Sequence, residues 1–516
     1  MTDPLKNALP VPPLPRGSQS RAWWRAPASP TALAWSIASA ARAHEGPLLV
    51  VARDNHEAHQ LEADLHTLLG TAGDLPVVAF PDWETLPYDQ FSPHPDIVSQ
   101  RLSALHRLPT LEKGIVVVPV QTLMQRLSPL KHIAGGSFDY RMGQRLDFDA
   151  EKRRLEAASY RHVPQVLDPG DFAVRGGLLD VYPMGADAPL RIELLDDTID
   201  SLRHFDPESQ RSLDRVESVQ LLPGREVPLD ERSVERAMTL LRDRFDVDTR
   251  RSALYQDLKS GLAPAGVEYY LPLFFDATST LFDYLHADAL PVLTDGFGEA
   301  AEAFWAQTRN RYDQRRHDIE RPLLPPDELY LSPDSLRERL NQRLRVEVCG
   351  PQHSRHGDAL PLGDQPLPPL PVAAKDAPAG EALKSFLGHY PGRVLIASDS
   401  PGRREALLEV LQAAALVPEV LADFTAFRTG RDRFAITVAP LEDGFALDDP
   451  RIAVLTERQL FAERATQAHR RRRTGREPEA IIRDLGELTE GAPIVHEDHG
   501  VGRYRGLIAM DVGGMP

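Results

Sequence analysis

Three short runs rich in β-branched residues constrain the fold of this chain more than any other feature. They are GPLLVVARD (46–54), PVVAFPDWE (76–84) and GIVVVPVQTLMQRL (114–127), and helical patterns lie between them. Buried strands separated by helices are typical of a parallel sheet with crossover connections. We therefore predict a parallel α/β module that begins near residue 15.

The pattern changes after residue 127 and predicts a multidomain chain. FAVRGGLLDVYPMG and APLRIELLDDTIDSLRHFD alternate polar and apolar residues over part of each run, which is typical of antiparallel strands with one solvated face. Helical patterns then return, and prolines mark later boundaries. The predicted divisions are an α/β module in 15–127 and 209–335, an inserted α+β domain in 128–208, a third α/β domain with a proline-rich loop in 340–460, a charged linker in 461–485 and a short β-module in 486–516.

Composition excludes several classes of protein. The 516 residues allow three or four domains at roughly 150 residues each. The 59 basic and 76 acidic residues give a net charge of −17, which argues against tight binding of naked DNA through the overall field. Cys349 is the single cysteine, so the sequence offers no internal disulfide and no multi-cysteine metal site. With no signal-like start and no run of about 18 apolar residues, we expect a cytoplasmic protein without a membrane span.

Nucleotide-binding motifs are absent from the sequence. No GxxxxGK[ST] string occurs, and the segment where one is expected reads RAWWRAPASPTALAWSIASAA (21–41), with prolines and alanines in place of glycines. ASDSPGRREAL (397–407) has one glycine before two arginines, a pattern that favours an ordinary strand-to-helix turn. No acidic box follows GIVVVPVQTLMQ. We predict no catalytic residue and no cofactor for this chain.

Aromatic and proline residues interleave in PDWETLPYDQFSPHPDIVSQRLSALHRL (81–108). One interpretation is a structured loop whose aromatic residues, Trp83, Tyr88 and Phe91, pack over the sheet. The string resembles the first domain of bacterial transcription-repair coupling factors, which is itself similar to UvrB of excision repair. UvrB carries a working phosphate loop and a DNA-clamping hairpin, and this sequence shows neither.

The insert resembles the UvrA-binding domain that those two families share, on YRHVPQVLDPGDFAVRGGLLDVYPMG followed by PLRIELLDDTIDSLRHFD (160–206). The resemblance implies that Arg175 and Arg191 contact UvrA, with Leu195 at a position where the family has an aromatic residue. Two exposed arginines on adjacent strands suit bidentate bonds to a partner's carboxylates. The residues alone leave an alternative, which is local ion pairing with nearby aspartates: Asp180, Asp196 or Asp197.

The final segment, GELTEGAPIVHEDHGVGRYRGLIAMDVGG (486–514), resembles the opening of the RNA-polymerase-interaction domain of coupling factors, a Tudor-like or SH3-like β-barrel. The barrel would be truncated at Pro516. The resemblance implies that an edge strand carrying Ile508 and Met510 contacts the polymerase β subunit.

Two features near this segment receive simpler interpretations. His496 and His499 are spaced by three in a glycine-rich turn, which fits the HExxH zinc motif poorly. We therefore predict no metal site. The run Arg470–Arg473 is balanced by nearby acids and favours the solvated face of a linker over a DNA-binding patch.

Together the resemblances predict the amino-terminal portion of a transcription-repair coupling factor. Such a factor recognises RNA polymerase stalled at a DNA lesion, displaces it with an ATP-driven and Mg²⁺-dependent translocase on double-stranded DNA, and recruits UvrA. The motor would follow residue 516, so this portion would be an adaptor whose partners are UvrA and the polymerase β subunit. The alternative is a UvrB-like ATP-dependent repair enzyme with its own nucleotide site.

Overall fold

The structure, a computed structural model, describes residues 12–15, 20–70, 75–245, 251–318, 320–350, 359–372, 380–461, 493–496 and 500–503. The chain divides into two compact units, Met1–Ala462 and Glu463–Pro516.

A six-stranded parallel sheet forms the centre of the first part of the chain. Its strands, in their order across the sheet, are Arg21–Arg25, Arg345–Cys349, Leu290–Leu293, Leu48–Ala52, Ile115–Pro119 and Val77–Ala79. Every neighbouring pair is parallel. All five residues of Leu48–Ala52 are buried, as expected for a strand covered on both faces. The predicted mixed α/β class with parallel sheets is confirmed.

Helices cover both faces of this sheet, and polar caps fix where the first two begin. Ser29 Oγ accepts the backbone N–H of Ala32, and Asp54 Oδ1 accepts that of Glu57. The helices before the insert are Pro30–Ala43, Asn55–Leu69, Pro95–Arg107 and Val120–Leu123, with a 3₁₀ turn at Leu108–Thr110. Those after it are Glu231–Arg244, Ala253–Lys259, Leu281–Tyr284, Phe297–Arg315, Pro326–Leu329 and Pro333–Asn341, with a 3₁₀ segment at Val267–Leu273.

The insert contains a second six-stranded sheet. Its strands, in order across the sheet, are Ser212–Arg215, Thr198–Phe205, Leu190–Leu195, Leu178–Val181, Asp171–Arg175 and Arg161–His162. The pairs are antiparallel except that of the last two strands. Leu179, Leu190 and Ile192 join one large apolar cluster with the helices and strands of the first module. The opposite face carries a smaller buried cluster that includes Ala173, Tyr182 and Phe205.

Short elements complete the insert and its junction with the first module. The helices are Leu130–Gly135 and Phe148–Ala157. Phe138–Arg141 pairs with Ser218–Leu221, and Arg126–Leu127 pairs with Ser279–Thr280, both antiparallel.

A third sheet lies between residues 364 and 455. Its strands, in order across the sheet, are Asp364–Gln365, Phe445–Leu447, Ile452–Leu455, Arg393–Ser398, Phe434–Val438 and Glu419–Val420. The four last-named strands run parallel, and the first two join antiparallel. The accompanying helices are Glu381–His389, Pro401–Ala413, Phe424–Thr429 and Glu457–Leu460.

The second unit is described only as an antiparallel hairpin of Pro493–His496 and Gly500–Arg503. Ile508, Met510, His499 and Arg470–Arg473 lie outside the described residues.

Two observed sheets extend past the predicted divisions. Strands of the insert continue to Leu221, whereas the prediction ended the insert at 208. Arg345–Cys349 lies in the first sheet, although the predicted third domain starts at 340. Ser212–Arg215 is exposed at every position and has no apolar alternation to predict it. Arg345–Cys349 is placed by pairing with a strand more than 300 residues away.

Candidate functional site

The segment 21–41, where a phosphate loop would be expected in the sequence, contains the amino-terminal end of helix Pro30–Ala43. The carboxylate of Asp364 lies beside this end: its Oδ2 accepts the backbone N–H of Ala28, the residue before the N-cap Ser29, at 2.6 Å. A helix amino terminus attracts anions because its first N–H groups are unpaired and its dipole is positive there. Here the anion is a side chain from the third sheet.

Residues 442–443 form hydrogen bonds at the first turn of the same helix. Thr31 Oγ1 donates to Asp64 Oδ2 at 2.7 Å and accepts the backbone N–H of Asp443 at 3.1 Å. Asp64 Oδ1 accepts the N–H of Glu442 at 3.0 Å. Thr31 and Asp64 are both buried. The Thr31 hydroxyl and the Asp64 carboxylate are therefore engaged with protein groups at this end of the helix.

These contacts lead to a prediction for nucleotide binding. Adding Mg-ATP should leave the Tm of the protein unchanged, because a carboxylate already lies at the helix end.

Asp364→Ala should lower the free energy of unfolding by about 1 kcal/mol, because it removes a hydrogen bond and a favourable negative charge at the helix end. Thermal unfolding with and without Mg-ATP checks both statements. Gln365→Ala is the control, since Gln365 bonds Asp448 instead, and a clear rise in the wild-type Tm with Mg-ATP would contradict the prediction.

The second segment considered for phosphate binding, 397–407, is a capped strand-to-helix turn. Ser400 Oγ accepts the N–H of Arg403 at 3.3 Å, at the start of Pro401–Ala413. The two arginines are paired within the chain: Arg403 with Glu457 at 3.3 Å, and Arg404 with Glu405 at 2.8 Å.

The aromatic residues of 81–108 have different environments. Trp83 and Tyr88 are buried, and the Trp83 ring meets Tyr269 edge to face at 5.6 Å between centroids. Phe91 is 62% exposed. The packing interpretation therefore describes Trp83 and Tyr88 but not Phe91.

A buried ion pair that the sequence did not reveal fastens this segment to the end of the insert. Arg101 Nε donates to Glu226 Oε1 at 2.6 Å and Nη2 donates to Oε2 at 3.2 Å. Nη1 donates to the carbonyl of Pro81 at 2.8 Å, and the guanidinium lies 4.3 Å from the Phe80 ring centroid. Both side chains are almost wholly inaccessible. Glu226 follows Pro-Gly-Arg with no local motif, so only three-dimensional proximity identifies the pair.

Arg175 and Leu195 lie at the same end of the insert sheet. Arg175 precedes the turn Gly176–Gly177, and Leu195 precedes the turn Asp196–Asp197. These turns are neighbours, because the N–H of Leu194 donates to the carbonyl of Gly177 at 3.1 Å. Leu195 is 66% exposed, and Arg175 is exposed with one Nη2 bond to the carbonyl of Pro164. Two of the three predicted UvrA-contacting residues are thus exposed at the same end of the sheet, on strands separated by Leu178–Val181.

Arg191 differs from the other two because its guanidinium is engaged within the sheet. Its Nε and Nη2 donate to the two carboxylate oxygens of Asp180 at 2.7 and 2.9 Å, and Nη1 donates to the carbonyl of Gln210 at 3.2 Å. The side chain is 14% exposed and packs 4.7 Å over the Phe205 ring. The Asp180 hydrogen bonds raise the pKa of Arg191. Arg191 therefore forms the local ion pair that the sequence allowed as an alternative, and its partner is Asp180.

The described residues contain no group of three or more His, Cys, Asp or Glu side chains placed to hold a metal ion. No helix among them is long and apolar enough to cross a membrane. Cys349 is buried, and burial raises the pKa of its thiol.

Family models match three parts of the chain. They are the UvrB interaction domain at residues 138–226, the MFD D3 domain at 386–460 and the CarD-like/TRCF RID domain at 488–516. The chain is therefore a multidomain α/β protein that combines a UvrB interaction domain with two modules found in coupling factors.

Curated relatives identify the family more closely. Transcription-repair-coupling factors are 40% identical in Escherichia coli (94% of this chain), 33% in Myxococcus xanthus (91%) and 25% in Bacillus subtilis (93%). The matches cover 42%, 41% and 42% of those proteins, so the chain spans about two fifths of their length. Over nearly all of its own length, the chain is a homologue of the transcription-repair-coupling factors.

Proposed function

We propose that the chain acts in transcription-coupled nucleotide excision repair, as the adaptor portion of a factor that recognises RNA polymerase stalled at a DNA lesion. In this proposal the first module is UvrB-like with a degenerate nucleotide site, and residues 488–516 begin a Tudor-like barrel. The homology along 94% of the chain and the three matched domains support it. The work would take place in the cytoplasm, where polymerase and UvrA act on DNA.

The observation that carries the proposal is the end of the insert sheet where Arg175 and Leu195 are both exposed, on strands separated by Leu178–Val181. An exposed leucine contributes nothing to the core, and its transfer from water to an interface is favourable. A guanidinium at the same end of the sheet can form charge-assisted hydrogen bonds to a carboxylate on a partner, and arginine is enriched among residues that dominate binding energy. We assign this end of the insert to UvrA, with Arg191 as a third contact.

The polymerase contact is assigned to the terminal module by its match to the RID domain. The partner in this proposal is the polymerase β subunit, met by an edge strand that carries Ile508 and Met510. Double-stranded DNA, ATP and Mg²⁺ would be bound by a motor, whose phosphate-loop motif this sequence does not contain.

The alternative function is a UvrB-like ATP-dependent repair enzyme. The Asp364 carboxylate at the end of helix Pro30–Ala43 argues against it, since a nucleotide phosphate would have to displace a like charge. A phosphate-release assay on the purified chain separates the two functions. Turnover above the buffer control would favour the enzyme.

UvrA binding provides the direct test. Arg175→Ala and Leu195→Ala should each raise the Kd for UvrA about tenfold, because each removes an exposed contact without disturbing the core. Leu195→Phe should strengthen binding by restoring a larger apolar contact. Surface plasmon resonance with immobilised UvrA measures all three.

Matched controls lie on Ser212–Arg215, the strand at one edge of the same sheet. Leu213 is 52% exposed and Arg215 is exposed, so Leu213→Ala and Arg215→Ala remove similar side chains elsewhere. Both controls should keep the wild-type Kd. If Arg175→Ala and Leu195→Ala also keep it, UvrA does not bind this end of the insert.

A further inference from the structure

A pocket of about 270 Å³ opens between helix Leu130–Gly135, the end of helix Phe148–Ala157 and the segment 223–230. Its lining includes Lys131, His132, Gly135, Gly136 and Arg225. No residue of this pocket belongs to the UvrA or polymerase surfaces assigned above.

The distinctive feature of this pocket is the side chain of Arg225, which is unpaired within the part of the chain that the structure describes. Its side chain is mostly buried, and it makes no hydrogen bond and no ion pair within 4.0 Å to any residue that the structure describes. Arg101 and Arg191, which are also withdrawn from water, each hold a carboxylate through two nitrogens. A buried charge without a partner is unfavourable. The fold therefore maintains a cationic group whose charge is not neutralised by a direct contact.

The groups around Arg225 neutralise it only weakly. Burial lowers the pKa of Arg225, and the nearby carboxyl of Glu268 opposes that change. The like charge of Arg161 lowers the pKa of Arg225 further, and burial raises the pKa of Glu268. Asp230 is the one carboxylate in the described lining, and its two oxygens are already bonded to the Ser233 N–H at 3.1 Å and the Ser233 hydroxyl at 2.7 Å.

Lys131 and His132 share the lining. His132 Nε2 lies 3.3 Å from the Arg225 carbonyl, to which it donates, and its ring meets Phe275 at 5.4 Å. Burial lowers the pKa of His132, so the cationic groups of the lining are Arg225 and Lys131. Lys131 is exposed at the surface and forms no ion pair with a described residue. The arrangement concentrates positive charge in a protein whose net charge is −17.

We propose that this pocket binds a small phosphate-bearing anion, such as inorganic phosphate or the phosphate of a nucleoside monophosphate. The planar guanidinium suits two phosphate oxygens, and the lysine ammonium supplies a charge to a third. Small-molecule sites begin near 300 Å³, so a pocket of about 270 Å³ fits a compact ligand. A concave site in an acidic protein disfavours a nucleic-acid strand as the occupant.

Isothermal titration calorimetry on the whole chain tests the proposal, with inorganic phosphate and AMP as ligands and acetate as the carboxylate comparison. At fixed ionic strength the wild type should bind phosphate and AMP more tightly than acetate. Arg225→Gln should weaken phosphate binding at least tenfold and Lys131→Gln several-fold, whereas Arg215→Gln, at an exposed arginine outside the pocket, should change nothing.

Thermal unfolding supplies a readout that does not depend on calorimetric heat. Arg225→Met should keep or raise the Tm without ligand, because no protein partner is lost, and added phosphate should raise the Tm of the wild type only. Absence of phosphate binding by the wild type, or unchanged binding by Arg225→Gln, would overturn the proposal. Preferential binding of a short DNA duplex that Arg225→Gln abolishes would replace it with a nucleic-acid contact.

Discussion

Arg101→Met should lower the free energy of unfolding by about 4 kcal/mol, since it leaves the Glu226 carboxylate buried without its partner. Both side chains are at most 2% exposed, so water cannot replace the lost bonds. The same substitution also removes the donor to the Pro81 carbonyl and the stacking on Phe80. Urea unfolding followed by far-ultraviolet circular dichroism measures the loss.

Two companion variants separate this pair from general effects on the helix. Arg107→Met changes an exposed arginine on the same helix, Pro95–Arg107, and should alter stability by no more than about 0.5 kcal/mol. The double variant Arg101→Met with Glu226→Leu removes both charges and should recover most of the stability, because replacing a whole buried pair with apolar groups is often neutral. A loss below about 1 kcal/mol in the single variant would show that the pair is not needed.

The pair also explains how the insert is held to the first module. Arg101 lies on the helix that follows the aromatic and proline-rich segment, and Glu226 lies at the end of the region matched by the UvrB interaction domain. Loss of the pair should therefore loosen the insert. A partner bound at the end of the insert sheet would then be held less firmly relative to the first module.

The fold could be predicted from sequence where local patterns dictate burial. The runs at 46–54 and 114–127 contain strands that are buried along their whole length, and a continuous apolar run is the signal of such strands. Arg345–Cys349 alternates charged and apolar residues, and its place in the sheet is set by pairing with Arg21–Arg25 and Leu290–Leu293, which the local pattern does not encode. Ser212–Arg215 has neither burial nor alternation and is stabilised by its neighbour strand.

In the candidate site, too, some features follow from the local sequence and others only from contacts between distant segments. Arg175 and Leu195 were chosen by resemblance, and their exposure depends on turns that the glycines and aspartates signal in the sequence. For Arg191 the sequence offered three carboxylates. The strand register, which places Arg191 opposite Asp180, selects one of them. Arg225 has no motif around it, and only the packing of three separate segments makes its isolation visible.

Arg191→Ala should destabilise the insert by about 3 kcal/mol, because Asp180 is almost fully buried and would lose both of its guanidinium bonds. The measurement is the free energy of unfolding from urea titration. Arg203→Ala is a matched control on the neighbouring strand: Arg203 lies opposite Arg191 in the register, and among the described residues its side chain bonds the hydroxyl of Ser201 and no carboxylate. Arg203→Ala should lower the free energy of unfolding by about 1 kcal/mol or less.

Weaker UvrA binding by Arg191→Ala would be ambiguous, since a destabilised sheet also presents Arg175 and Leu195 poorly. The double variant Asp180→Leu with Arg191→Leu removes the ambiguity, because without either charge the sheet should regain most of its stability. If Arg191 contacts UvrA, this folded double variant should still bind at least tenfold more weakly than the wild type. A wild-type Kd in the double variant would mean that Arg191 serves Asp180 alone and that Arg175 and Leu195 form the contact.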